Sequence, residues 1–224
     1  MRKLTMALGA VLASMLAAPA AFAQVEVDIE GGISEPLPIA VPVMPTPQIA
    51  STPAGSTDAL GRQLAEIVAN DLRNSGLFKP AGPAGLPAVA MAQVQAPDYA
   101  AWSNAQALVQ GYVRAEANGT LTIGCYLYDT FGRTELTRQG FNVAPAEWRR
   151  AAHKCADAVY TRLSGESAYF DSRIVYVSET GPKGNRIKRL AIMDQDGANH
   201  RFLTNGQSIV LRRASRRTSS RSSI

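Results

Sequence analysis

The sequence predicts an α+β fold: a mixed or antiparallel sheet with two helices packed on it, then a separate run of short strands. Three observations carry this expectation. Residues 56–75 and the stretch from Pro145 to Leu163 repeat apolar side chains at helical spacing. Between them, residues 107–143 alternate apolar and polar side chains in three runs joined by turn residues. Beyond Glu166 the pattern changes to short strands punctuated by polar turns.

The chain opens with Arg2 and Lys3, an apolar run over residues 4–17 and a small-residue site at Ala21, Phe22 and Ala23. This is the pattern of a cleaved secretion signal over residues 1–23, too short for a membrane span of roughly 20 apolar residues. An uncleaved N-terminal anchor is the competing reading. With the signal removed, no second apolar run of that length remains, so the mature chain is expected not to span a membrane. Cleavage would leave Gln24 first. Val25, Val27 and Ile29 then alternate as in a strand, although a mature terminus can equally be mobile.

Leu37, Ile39, Val41 and Val43 alternate again, interrupted by Pro38 and Pro42. Proline lacks an N–H, so this strand is expected at a sheet edge or bent. Leu60, Leu64, Ile67, Val68 and Leu72 form the stripe of the first helix, with Ser56, Thr57 or Asp58 as its cap and Gly76 at its end. Residues 80–97 are rich in Pro, Ala and Gly and predict a long loop, followed by a short helix carrying Tyr99 and Trp102.

In the meander, Asn118 and Gly119 suggest a two-residue hairpin turn, since both positions tolerate positive φ. Gly132 marks the second turn. Leu121, Ile123, Cys125 and Leu127 share one strand face. Pro145 opens the second helix, whose stripe is Trp148, Ala152, Cys155, Val159 and Leu163, and Gly165 closes it. Cys125 and Cys155 therefore sit on the apolar faces of a strand and a helix, the natural partners in an α-on-β layer. In an oxidising compartment a disulfide is the expectation; two reduced core cysteines are the alternative.

The net charge of +5 is misleading. Arg2 and Lys3 supply two of those charges and Arg212, Arg213, Arg216, Arg217 and Arg221 five more, which leaves −2 for the rest. Nucleic-acid binding by the folded body is therefore not expected. No catalytic, cofactor or metal site is predicted. His153 and His200 are the only histidines, His153 is expected toward solvent, and neither lies in a recognisable triad pattern. The Asp194-Gln195-Asp196-Gly197 turn lacks the further ligands of a calcium loop.

Residues 173–204, RIVYVSETGPKGNRIKRLAIMDQDGANHRFLT, closely resemble the first propeller blade of the TolB family. LPIAVPV, ALGRQLAEIVANDLRNSGLFKP, YAAWSNAQALVQGYV and LYDTFGRTELTRQGFNV resemble, in order, the family's N-terminal domain. The resemblance implies a TolB-like domain over residues 24–165 and a remnant of a β-propeller blade over 166–211. It also implies a periplasmic, non-enzymatic protein of the Tol–Pal system that supports outer-membrane integrity and constriction during division. In that family the mature N-terminus engages TolA. Carried over, the contact residues are Gln24, Val25, Glu26, Val27, Asp28, Ile29, Glu30, Gly31, Gly32 and Ile33. The family binds Pal through the propeller, and an incomplete blade argues against Pal binding here.

The sequence departs from the family at its end. Propellers take roughly four to eight blades, and residues 212–224, RRASRRTSSRSSI, fit no blade strand. A one-nucleotide shift in a permitted codon choice restores a propeller-like strand from Leu211, so the tail is expected to be out of frame. A solvated basic tail binding acidic lipid or nucleic acid is the competing reading. Two other function classes stay open: the front of a propeller-bearing hydrolase, and a binder of small ligands.

Overall fold

The first described strand, β1 (Leu37–Ala40), buries Ile39 and Ala40 and stops two residues before Pro42. The structure is a computed structural model and describes residues 35–207. The predictions for the leader, for residues 24–33 and for the basic tail lie outside the described residues.

β1 does not lie at an edge. It is the second strand of a five-stranded sheet ordered β4-β1-β5-β6-β7 and runs parallel to both neighbours, β4 (Phe78–Ala81) and β5 (Ala107–Ala115). Pro38 is tolerated there because pairing with β5 begins one residue later, at Ile39 opposite Ala107. Its carbonyl still accepts from the Gln106 N–H at 2.9 Å, so the missing N–H falls where the ladder has not started.

A two-residue hairpin, β2 (Ser51–Thr52) and β3 (Gly55–Ser56), leads into α1 (Thr57–Asn74). Ser56 stands at the N-cap position without a capping bond from its side chain. The buried Thr57 hydroxyl secures the entry instead, donating to the Gln48 carbonyl at 3.2 Å and accepting from the Ala50 N–H at 3.1 Å. Gly76, at φ +77°, turns the chain into β4. Gly61 lets α1 approach the chain after β1: the Met44 N–H donates to the Gly61 carbonyl at 3.3 Å, and a Cβ on Gly61 would collide with the Met44 carbonyl oxygen.

Residues 82–105 are not a free loop. They contain α2 (Met91–Gln95) and a 3₁₀ turn (Tyr99–Trp102), and they cover the sheet face opposite the long helices. Val89, Val94 and Trp102 pack there with Leu108, Tyr126 and Tyr128. The Tyr128 hydroxyl donates to the Val94 carbonyl at 2.8 Å.

β5, β6 (Leu121–Asp129) and β7 (Thr134–Val143) form the antiparallel meander, with Gly111, Cys125 and Gln139 in register. Its first turn differs from the expected one. Only Gly119 takes positive φ, at +82°, and its N–H donates to the Glu116 carbonyl at 3.0 Å. Asn118 keeps an ordinary backbone and uses its side chain to accept from the Thr120 N–H at 3.1 Å. In the second turn the left-handed residue is Arg133, at φ 51°, rather than Gly132. The Asp129 carboxylate receives the Phe131 and Gly132 N–H groups, both at 2.9 Å.

A 3₁₀ turn (Pro145–Glu147) opens α3 (Trp148–Ser164), which ends at Gly165 with φ +76°. α1 and α3 lie side by side on one sheet face, where Leu64, Val68 and Leu72 meet Ala152, Ala156 and Val159 over Val109, Ile123 and Leu127. Cys125 and Cys155 are disulfide-bonded within this core, with Cα atoms 5.8 Å apart. After α3, the Asp157 carboxylate pins the connecting chain by accepting from the Phe170 N–H at 2.7 Å and the Asp171 N–H at 3.2 Å. A second sheet follows, ordered β10-β9-β8, from β8 (Arg173–Thr180), β9 (Ile187–Asp194) and β10 (Arg201–Phe202). Val175 of β8 is 55% exposed.

Candidate functional site

Three buried polar residues, Asp71, His153 and Asp194, converge where α1, α3 and the end of β9 meet. Asp71 follows Leu64, Ile67 and Val68 on the buried stripe of α1, so helical spacing alone carries its carboxylate inward. His153 of α3 is 1% exposed, a correction to the expectation that it faces solvent. The buried arc of α3 is wider than its apolar stripe, taking in Ala151, Ala152, His153, Cys155 and Ala156. α1 covers one flank of that arc, and the turn after β9 covers the other.

His153 Nδ1 lies 2.7 Å from Asp71 Oδ2. Gln195 Nε2 donates to the other Asp71 oxygen at 2.8 Å, reaching across from the second sheet. Arg149, one turn before His153, pairs with Asp196. His153 Nε2 faces Asp196 Oδ2 at 3.8 Å and has no hydrogen-bond partner. Asp194 accepts from Asn199 Nδ2 at 2.6 Å, with Arg173 Nε 3.6 Å from its other oxygen. Burial alone would lower the His153 pKa, but the hydrogen bond and charge of Asp71, with Asp196 behind them, outweigh it and hold the imidazole above its ordinary value.

Two cavities flank this cluster. One, of about 450 Å³, is lined by Glu147, Arg149, Arg150, Arg173, His200 and Arg201 among others. The second, of about 460 Å³, is lined by Glu66, Asn70, Asp71, Trp148, Arg149 and Asp196 among others. His153, Asp194 and Asp196 bring one donor atom each within 4.8 Å of one another. The guanidiniums of Arg149 and Arg173 already stand against those two carboxylates, so cations of the chain offset their charge. The arrangement is an ion-pair and hydrogen-bond joint between two packed elements.

Of the residues singled out from the sequence, Cys125 and Cys155 come together in the core, and residues 24–33 lie outside the described residues. Asp71, Gln195 and Asp196 were missed as a group. One signal was legible: an acid at a stripe position of α1, four residues after Ile67, needs a buried partner.

The family described as TolB amino-terminal domain matches residues 25–136. The chain is 68% identical over 208 residues to "Tol-Pal system protein TolB" of Rhizorhabdus wittichii, covering 92% of this chain and 47% of the relative. It is 67% identical over 187 residues to the protein of the same name from Zymomonas mobilis subsp. mobilis, covering 83% and 41%. Among solved structures, TolB from Acinetobacter baumannii aligns with a TM-score of 0.59 at 25% identity, over 76% of this chain and 39% of that one. The chain thus spans less than half the length of these relatives. No helix among the described residues is long and apolar enough to cross a membrane.

Proposed function

The chain belongs to the TolB family through its amino-terminal domain, and from that premise we propose that it is a periplasmic, non-enzymatic docking component of the Tol–Pal system. Through it the system maintains the outer membrane and its constriction during division. The contact we propose is with TolA, made by Gln24 to Ile33. The single observation that carries this reading is the extent of the family match. It begins at residue 25, inside the contact segment, and runs through α1 and β6 to residue 136, at the start of β7. The physical mode is strand addition: backbone hydrogen bonds supply affinity, and the alternating Val25, Val27 and Ile29 supply side-chain selectivity. The second sheet is read as the opening strands of a propeller blade.

The test compares the full chain with a variant lacking residues 24–33. Calorimetric titration against the soluble part of TolA should show binding only for the intact chain. The melting temperatures of the two should agree. A variant that keeps its affinity for TolA removes the reading.

A further inference from the structure

We propose that the joint between the α/β domain and the second sheet is a proton-operated latch, closed when His153 is charged and loosened when it is neutral. The argument rests on one imidazole placed between carboxylates of two different elements. Asp71 of α1 sits 2.7 Å from Nδ1, and Asp196 of the turn after β9 sits 3.8 Å from Nε2. Nε2 is buried and has no hydrogen-bond partner. In a neutral ring that donates from Nδ1 to Asp71, the Nε2 lone pair points toward a carboxylate and the contact is repulsive. A proton on Nε2 turns the same contact into attraction on both sides of the ring.

The charged groups facing His153 favour that proton. Asp71 faces it from α1, Asp194 and Asp196 from the β9 end, and Asp157 from the next turn of α3. Arg149 is the opposing cation, and it is drawn onto Asp196. If the turn lifts away, Asp194 and Asp196 leave together and the ring regains water. Docking and proton binding therefore stabilise each other. The sign follows from what undocking removes: the ring keeps Asp71 but loses Asp196, so docking raises its proton affinity, and the contribution is present at lower pH and lost as pH rises through the docked value. The Gln195–Asp71 bond and the Arg149–Asp196 pair remain, so the joint loosens without parting.

The full chain is followed by amide hydrogen exchange over residues 194–198, corrected for intrinsic rates, on either side of neutral pH. The Gln195 and Gly197 amides are bonded there to the Ser172 and Asp194 carbonyls. Exchange should be several-fold faster on the alkaline side, where the ring has lost its proton. By NMR, His153 should titrate above the ordinary histidine value, with the same midpoint as the exchange. His153→Asn keeps a donor for Asp71 and removes the charge, and it should abolish the pH dependence. Asp196→Asn should lower the His153 midpoint. Equal exchange on both sides of neutrality overturns the proposal, as does an undiminished pH dependence in His153→Asn. If that variant does not fold, an unchanged His153 midpoint in Asp196→Asn overturns it alone.

Discussion

Replacing both Cys125 and Cys155 by alanine measures what the bridge between sheet and helix contributes. The bond joins positions 30 residues apart. For a loop of that size the chain-entropy relation gives about 3.6 kcal/mol at room temperature. Both side chains are buried in the core, at 3% and 1% exposure, so the missing sulfur contacts add to the loss. With a urea m-value of about 2 kcal/mol/M, the entropic part alone lowers the unfolding midpoint by about 1.8 M. Trp102, within the 82–105 segment, and Trp148, on α3, lie on opposite sides of the sheet and report both layers by fluorescence. A midpoint that falls by less than about 0.5 M would refute the view that the bridge constrains the unfolded chain.

Two further tests address the core. Gly61→Ala should destabilise the chain by about 2 kcal/mol, because the new methyl collides with the Met44 carbonyl. Helix propensity alone predicts a gain of about 1 kcal/mol, so the sign of the shift in urea midpoint decides between the two effects. Burial, reinforced by the charge of Glu135, pushes the Tyr128 hydroxyl up to about 12. The folded chain then holds this proton after the unfolded chain has released it, and stability falls as pH rises from about 10 to about 12. Tyr128→Phe should flatten that fall and remove the latest step in the tyrosinate absorbance titration; an unchanged slope counts against the burial argument.

What the sequence made legible were the elements with strong periodicity. The meander, both long helices and the facing positions of Cys125 and Cys155 all follow from apolar spacing. The missed features depend on groups distant in the chain. Residues 82–105 bury only a few side chains at irregular intervals, so no period marks them as the cover of a sheet face. The place of β1 between two parallel strands depends on where its ladder starts, which Pro38 alone cannot show. The His153 cluster spans α1, α3 and the β9 end, with His153 and Asp71 82 positions apart in the chain and Gln195 and Asp71 124 apart. Its members become meaningful only once packing brings them together.

The parallel arrangement around β1 has a mechanical consequence. Any tension delivered through the residues preceding Glu35 enters the fold at β1, whose axis runs with those of β4 and β5. A load applied along that axis shears the strands past one another. It strains the Leu37–Leu77, Val41–Ala81 and Gln106–Pro38 bonds together, rather than peeling them off one at a time. A load so directed is shared across the sheet and reaches, through the sulfur bridge, the helix that carries His153.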